Sequence, residues 1–91
     1  MDLTTAVQTL VLEALQSGYE LDRDSITLET DLGDIGFDSL GLTAVVARAE
    51  SEYGVEFTSE HILRMYQSML VADLVNAIET GIAESRAAQG S

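Results

Sequence analysis

One short run, Gly36-Phe37-Asp38-Ser39-Leu40, holds the residue types and spacing best suited to chemistry. It places a serine, flanked by an acid and a large apolar residue, where a loop gives way to a helix. A serine in the first turn of a helix faces solvent, because the orphan N–H groups point outward there. An anionic group at its hydroxyl would sit at the positive end of the helix dipole, a favourable place for negative charge. The isolated tripeptide Asp38-Ser39-Leu40 also reads as a plain helix cap. Competing chemistries are poorly served. His61 is the sole histidine and no cysteine accompanies it, so a metal site would need carboxylates alone around it. A Ser39–His61 pair lacks the Gly-x-Ser-x-Gly elbow, and His61 is expected to be a solvated helix residue. Counting a calcium loop from Asp31 puts Gly33, Ile35 and Leu42 where oxygen ligands are required, so that reading fails.

Positioning that serine falls to a run of amphipathic elements. Leu3, Ala6, Val7, Leu10, Val11, Ala14 and Leu15 recur at three- and four-residue steps and predict a first helix. Asp2 or Thr4 can cap its start, and Gly18 suits the left-handed position past its end. A connection over residues 22–37 carries Ile26, Leu28, Leu32, Ile35 and Phe37 as apolar anchors, with Gly33 and Gly36 as turning points. A second helix is expected from about Ser39 to Tyr53, its stripe made by Leu42, Val45, Val46, Ala49 and Tyr53 and its end marked by Gly54. Gly41 is out of character inside it, since helical glycine costs about 1 kcal/mol against alanine. A short third helix follows a Thr58 or Ser59 cap and reaches about Tyr66. A fourth opens near Ser68 and carries Leu70, Val71, Leu74, Val75, Ile78 and Ile82. The expected fold is all-α: a small four-helix bundle, three longer helices plus a short third, with a long loop between helices 1 and 2. Residues 1–83 form the domain, and residues 84–91, polar and small, are expected to be a disordered tail.

Composition narrows the function classes. Ninety-one residues make one domain with a modest core, so function is exercised at the surface. Sixteen acidic residues face four arginines, for a formal net charge of −12. Such a chain repels nucleic acid and anionic lipid and favours basic partners, although solubility alone is a sufficient reason for the charge. A hydrophobic content of 46% argues against disorder. No basic stretch followed by an apolar run marks the start, and no apolar segment is long enough to span a bilayer, so a cytoplasmic monomer is expected.

In context, the chain around Ser39 resembles the acyl carrier proteins. Asp34-Ile35-Gly36-Phe37 precedes Asp38-Ser39-Leu40, and the match extends from the first helix to Ile82. Ile35 to Leu42, followed by Glu50-Ser51-Glu52-Tyr53-Gly54-Val55, looks most like carriers of type II polyketide synthases. The resemblance implies a carrier and not an enzyme. Ser39 would bear a covalent 4′-phosphopantetheine installed from coenzyme A by a separate transferase using magnesium, with Asp38 helping to place the metal and the hydroxyl. Acyl or polyketide intermediates would ride on the arm as thioesters. Ketosynthase, acyltransferase and tailoring enzymes would dock on helix 2 through Leu40, Ala47, Glu50, Glu52 and Glu56. Two departures stand out. Gly41 and Ala44 occupy positions that are often acidic in the family, and Arg48 adds a positive charge, which implies a smaller charged footprint with more apolar contact. The chain also has no proline, and Met65, Tyr66 and Met69 cluster near the third helix either as core filling or as an adaptable wall. A fatty acid or aminoacyl carrier is the near alternative, with Asp38 counting against the peptidyl branch. An acidic helical adaptor that binds a basic protein and never uses Ser39 is the alternative from another class.

Overall fold

The apolar stripes predicted along the chain meet in one core. The computed structural model describes residues 2–89 and contains, among them, four α-helices: α1 (Leu3–Tyr19), α2 (Ser39–Tyr53), α3 (Ser59–Tyr66) and α4 (Val71–Gln89). Helix α1 lies against both α2 and α4, while α3 packs mainly on α4 and touches α2. Val7, Leu10, Val11 and Leu15 from α1 interdigitate with Leu42, Val45, Val46 and Ala49 from α2 and with Val71, Leu74, Val75, Ile78 and Ile82 from α4. Met65 of α3 is fully buried among them, so it fills the core, whereas Tyr66 and Met69 stay exposed.

The connection between α1 and α2 is ordered by its anchors. Ile26 and Leu32 are buried, and Leu28, Ile35 and Phe37 are partly buried against the core. Two short 3₁₀ turns, Arg23–Ser25 and Leu32–Ile35, break its length. Its backbone also serves α4. Thr30 C=O accepts from Val71 N–H at 3.0 Å, and Leu28 C=O accepts from Ala72 N–H at 2.8 Å. Two orphan donors of the fourth helix are thereby satisfied by the loop. Asp73 adds a capping carboxylate, taking Leu70 N–H at 3.0 Å. An antiparallel bridge between Asp31 and Leu70 completes the seam. These bonds explain why α4 starts at Val71 and not near Ser68.

Three expectations at helix ends need correction. Gly18 lies within α1, and the left-handed position past its end belongs to Glu20, at φ 53°. The extra residues keep Tyr19 on the helix, from which its ring reaches Phe37, with 6.4 Å between centroids. The tail expected from Glu84 is helical through Gln89. Glu84 is held by Arg64 at 3.4 Å, Ser85 is buried, and the Arg86 guanidinium lies 5.7 Å from the centre of the Tyr53 ring. Residues 90–91 of that tail lie outside the described residues. His61, expected in solvent, is 7% exposed and takes part in the start of α3. Thr58 N–H donates to its Nδ1 at 3.1 Å, His61 N–H donates back to Thr58 Oγ1 at 3.1 Å, and Nε2 lies 3.3 Å from Glu84 Oε1. This is a capping box with histidine in the place usually held by Glu or Gln.

Candidate functional site

Ser39 is placed by a sequence of local constraints. Gly36 takes a left-handed conformation at φ 75°, which ends the second 3₁₀ turn. Phe37 N–H then bonds to Leu32 C=O at 3.0 Å, and the chain enters Asp38 in an extended conformation. Asp38 caps α2, its Oδ1 accepting from Gly41 N–H at 3.0 Å. Ser39 is thus the first residue of a helix that runs for 15 residues, and it is exposed. The N–H groups of that first turn and the aligned peptides behind them favour an anion on the serine.

A second bond reaches Asp38 from another helix. The Tyr19 hydroxyl donates to Asp38 Oδ1 at 2.9 Å and accepts from Asp38 N–H at 3.2 Å. The bond from Gly41 N–H, followed by that from Tyr19, holds the Asp38 carboxyl below the usual carboxylate value. Partial burial pushes the Tyr19 hydroxyl up, and the neighbouring carboxylate adds to this. Gly41 makes the reach possible, because a Cβ there would collide with the Tyr19 hydroxyl. Apolar periodicity gives Tyr19 no part in the site; the signal that could have found it is the misplaced glycine.

An apolar groove of about 480 Å³ opens beside Ser39 between α2 and α3. Leu42 and Val46 line one wall, Ile62, Leu63 and Tyr66 the other. Leu63 and Tyr66 are largely exposed, so the groove is open to solvent. A second recess, bounded by Leu32, Phe37 and Tyr66, also ends at Ser39. The serine therefore stands at a mouth shared by the apolar groove and a recess of mixed polarity that Asp38 and Ser68 also line. A group attached there would meet no steric wall, and its far end could lie on apolar side chains.

The other expected site residues lie on α2, except Glu56, which follows its end. Leu40 is 80% exposed, and Ala47, Glu52 and Glu56 are exposed. Glu50 differs: it is half-buried, and its Oε2 accepts Phe57 N–H at 2.9 Å, tying the segment after α2 to the helix. Arg48 pairs with Glu13 of α1 at 3.4 Å, so its charge is turned toward α1. Among the described residues no cluster of His, Asp and Glu could hold a metal ion by itself.

Comparison with known proteins identifies the family. The family model described as "Phosphopantetheine attachment site" matches residues 6–78, a span containing Ser39 and both walls of the groove. An acyl carrier protein of Coprothermobacter proteolyticus is 32% identical over 69 residues, covering 75% of this chain and 80% of that protein. A solved structure of similar fold is the hexanoyl acyl carrier protein of the actinorhodin polyketide synthase from Streptomyces coelicolor. It aligns with a TM-score of 0.57 and 28% identity, covering 87% of this chain and 88% of that one.

Proposed function

Because the chain belongs to the phosphopantetheine-attachment family and is an acyl carrier protein, we propose that Ser39 is the residue that bears its arm. The observation that carries this reading is the exposed serine at the first position of α2, capped by Asp38, at the mouth of the groove. When bound, the group supplies a thiol on a flexible tether, to which an acyl unit is joined as a thioester. The protein's own residues do the rest. The first turn of α2 favours the phosphate, the exposed position lets a second enzyme reach the hydroxyl, and the absence of cysteine leaves no protein thiol to compete for the acyl unit. The protein is a carrier and not an enzyme, and it works with synthase partners and acyl cargo.

The finer assignment is a discrete polyketide carrier, supported by the likeness to the actinorhodin carrier. A transferase would act first at Asp38 and Ser39; ketosynthase, acyltransferase and tailoring enzymes would follow. Leu40 is the apolar centre of their contact, flanked by Ala47, Glu52 and Glu56. Glu50 contributes charge at most in part, since one of its oxygens is bonded internally. The groove gives an acyl chain an apolar surface beside its point of attachment. We place the protein in the cytoplasm as a monomer; among the described residues no helix is long and apolar enough to cross a membrane. Incubation with a phosphopantetheinyl transferase, coenzyme A and magnesium is expected to add one phosphopantetheine to the intact mass and nothing to Ser39→Ala. Addition to the Ser39→Ala protein would move the site elsewhere, and no addition to the parent would leave an acidic adaptor.

A further inference from the structure

We infer that Tyr19 is a positioning residue for the loading of this carrier: from α1 its hydroxyl fixes the Asp38 carboxylate beside Ser39, in space left open by Gly41. The inference rests on Ser39 being the attachment point.

Asp38 receives two hydrogen bonds on the same oxygen. Gly41 N–H and the Tyr19 hydroxyl converge on Oδ1, at 3.0 and 2.9 Å. The first is an ordinary cap and fixes one contact only. The second comes from a residue 19 positions away, and the same hydroxyl also takes the Asp38 backbone N–H at 3.2 Å. Backbone and side chain of Asp38 are thus gripped by one oxygen atom. With Oδ1 held from two directions, the carboxylate loses rotation about its own bonds, and Oδ2 takes no part in the clamp. Tyr19 is itself held, by contact with Phe37. Gly41 completes the arrangement. Any Cβ at that position would occupy the place of the tyrosine hydroxyl, so the helix carries its poorest ordinary residue where the clamp requires no side chain.

In loading, Ser39 Oγ forms a bond to the phosphorus nearest the pantetheine of coenzyme A. The phosphoanhydride bond to adenosine bisphosphate breaks, that nucleotide leaves, and the hydroxyl proton passes to a base on the transferase. Asp38, one residue from the nucleophile, must present its carboxylate in a single orientation for this geometry, and Tyr19 removes the alternatives before the transferase arrives. Such preorganisation acts on the chemical step more than on encounter.

The test uses the full chain, a phosphopantetheinyl transferase and coenzyme A, with initial rates followed by intact mass. Tyr19→Phe keeps the ring and removes the hydroxyl; kcat should fall on the order of fivefold with KM unchanged, the size of one modest hydrogen bond. Gly41→Ala reaches the same atom by displacement and should produce a similar fall, although alanine favours the helix. In an Asp38→Asn background, Tyr19→Phe should cost nothing further, because Tyr19 acts through that carboxylate. A merely structural role would instead give losses that multiply in the double variant. Wild-type kcat in both Tyr19→Phe and Gly41→Ala, or multiplying losses with Asp38→Asn, would overturn the inference while leaving Ser39 as the site. Mass gain by Ser39→Ala would overturn the underlying assignment instead.

Discussion

Replacing His61 by alanine removes the device that starts α3. The ring closes the capping box by accepting Thr58 N–H on Nδ1, which places the proton on Nε2, facing Glu84 Oε1 at 3.3 Å. Phe57 packs edge-on against the same ring, with 6.1 Å between centroids. In the alanine variant the part-buried Thr58 N–H loses its partner, a loss of about 1–2 kcal/mol. The Glu84 contact adds less, because that carboxylate is half exposed and shared with Arg64, so a further ~0.5 kcal/mol is a fair allowance. The total is about 2 kcal/mol, which for a domain of this size corresponds to a fall in Tm of about 8–16 °C. His61→Gln supplies the ordinary capping-box partner for Thr58 without reaching Glu84, and should recover at least half of the loss. Thermal melts followed by circular dichroism compare the three proteins. Because α3 forms one wall of the groove beside Ser39, amide exchange at Ile62, Leu63 and Met65 should accelerate in the alanine variant more than exchange in α1. A His61→Ala melt within about 2 °C of the parent, or a glutamine variant no better than alanine, would refute the account.

Two further outcomes are expected. Gly81→Ala introduces a Cβ 2.8 Å from Cδ1 and Cε1 of the Phe57 ring, so the gain of about 1 kcal/mol in helix propensity is outweighed by overpacking of about 1–3 kcal/mol; urea titration should show a net loss. A net gain would mean that Phe57 moves aside freely. The second concerns acid. Asp2 caps α1 by accepting Thr5 N–H at 2.8 Å, and that bond lowers its carboxyl from 3.8. A folded-state value below the unfolded one contributes stability that is present above the unfolded carboxylate range and is lost as pH falls through the folded value. The Tm difference between the parent and Asp2→Ala should therefore be constant near neutrality and shrink toward zero in strong acid, where the cap is protonated. A difference that persists unchanged in strong acid would assign the effect to packing.

The elements were legible because their signals are local. Apolar steps of three and four residues marked α1, α2 and α4, a capping residue marked the start of α3, and Gly54 marked the end of α2 as expected. Family resemblance fixed attention on Asp38-Ser39-Leu40, and the structure brings Ser39 and Asp38 together at the exposed helix start with Leu40 beside them. What escaped the pattern was decided by partners far along the chain. His61 is buried because Glu84 and the Phe57 ring enclose it, Glu50 is bonded inward because Phe57 N–H comes back to it, and residues 84–89 are helical because Arg64, His61 and Tyr53 hold them. None of these partners is fixed by spacing.

Two of the three glycines in α-helices offer the missing information in another form. Gly41 in α2 and Gly81 in α4 both weaken their helices, and neither adopts a conformation that demands glycine, since both lie outside the positive-φ residues. At each one an aromatic side chain from a different element fills the space of the absent Cβ: Tyr19 at Gly41 and Phe57 at Gly81. At these two positions the costly glycine marks where another part of the chain arrives, whereas Gly18 near the end of α1 has open space at its Cβ position and marks no such arrival. In this carrier the arrivals have unequal consequences. Phe57 at Gly81 fastens the segment between α2 and α3 to α4 and so sets the floor under His61. Tyr19 at Gly41 comes within hydrogen-bonding distance of the acid that precedes Ser39, so an apparent defect in α2 is what admits the clamp on Asp38.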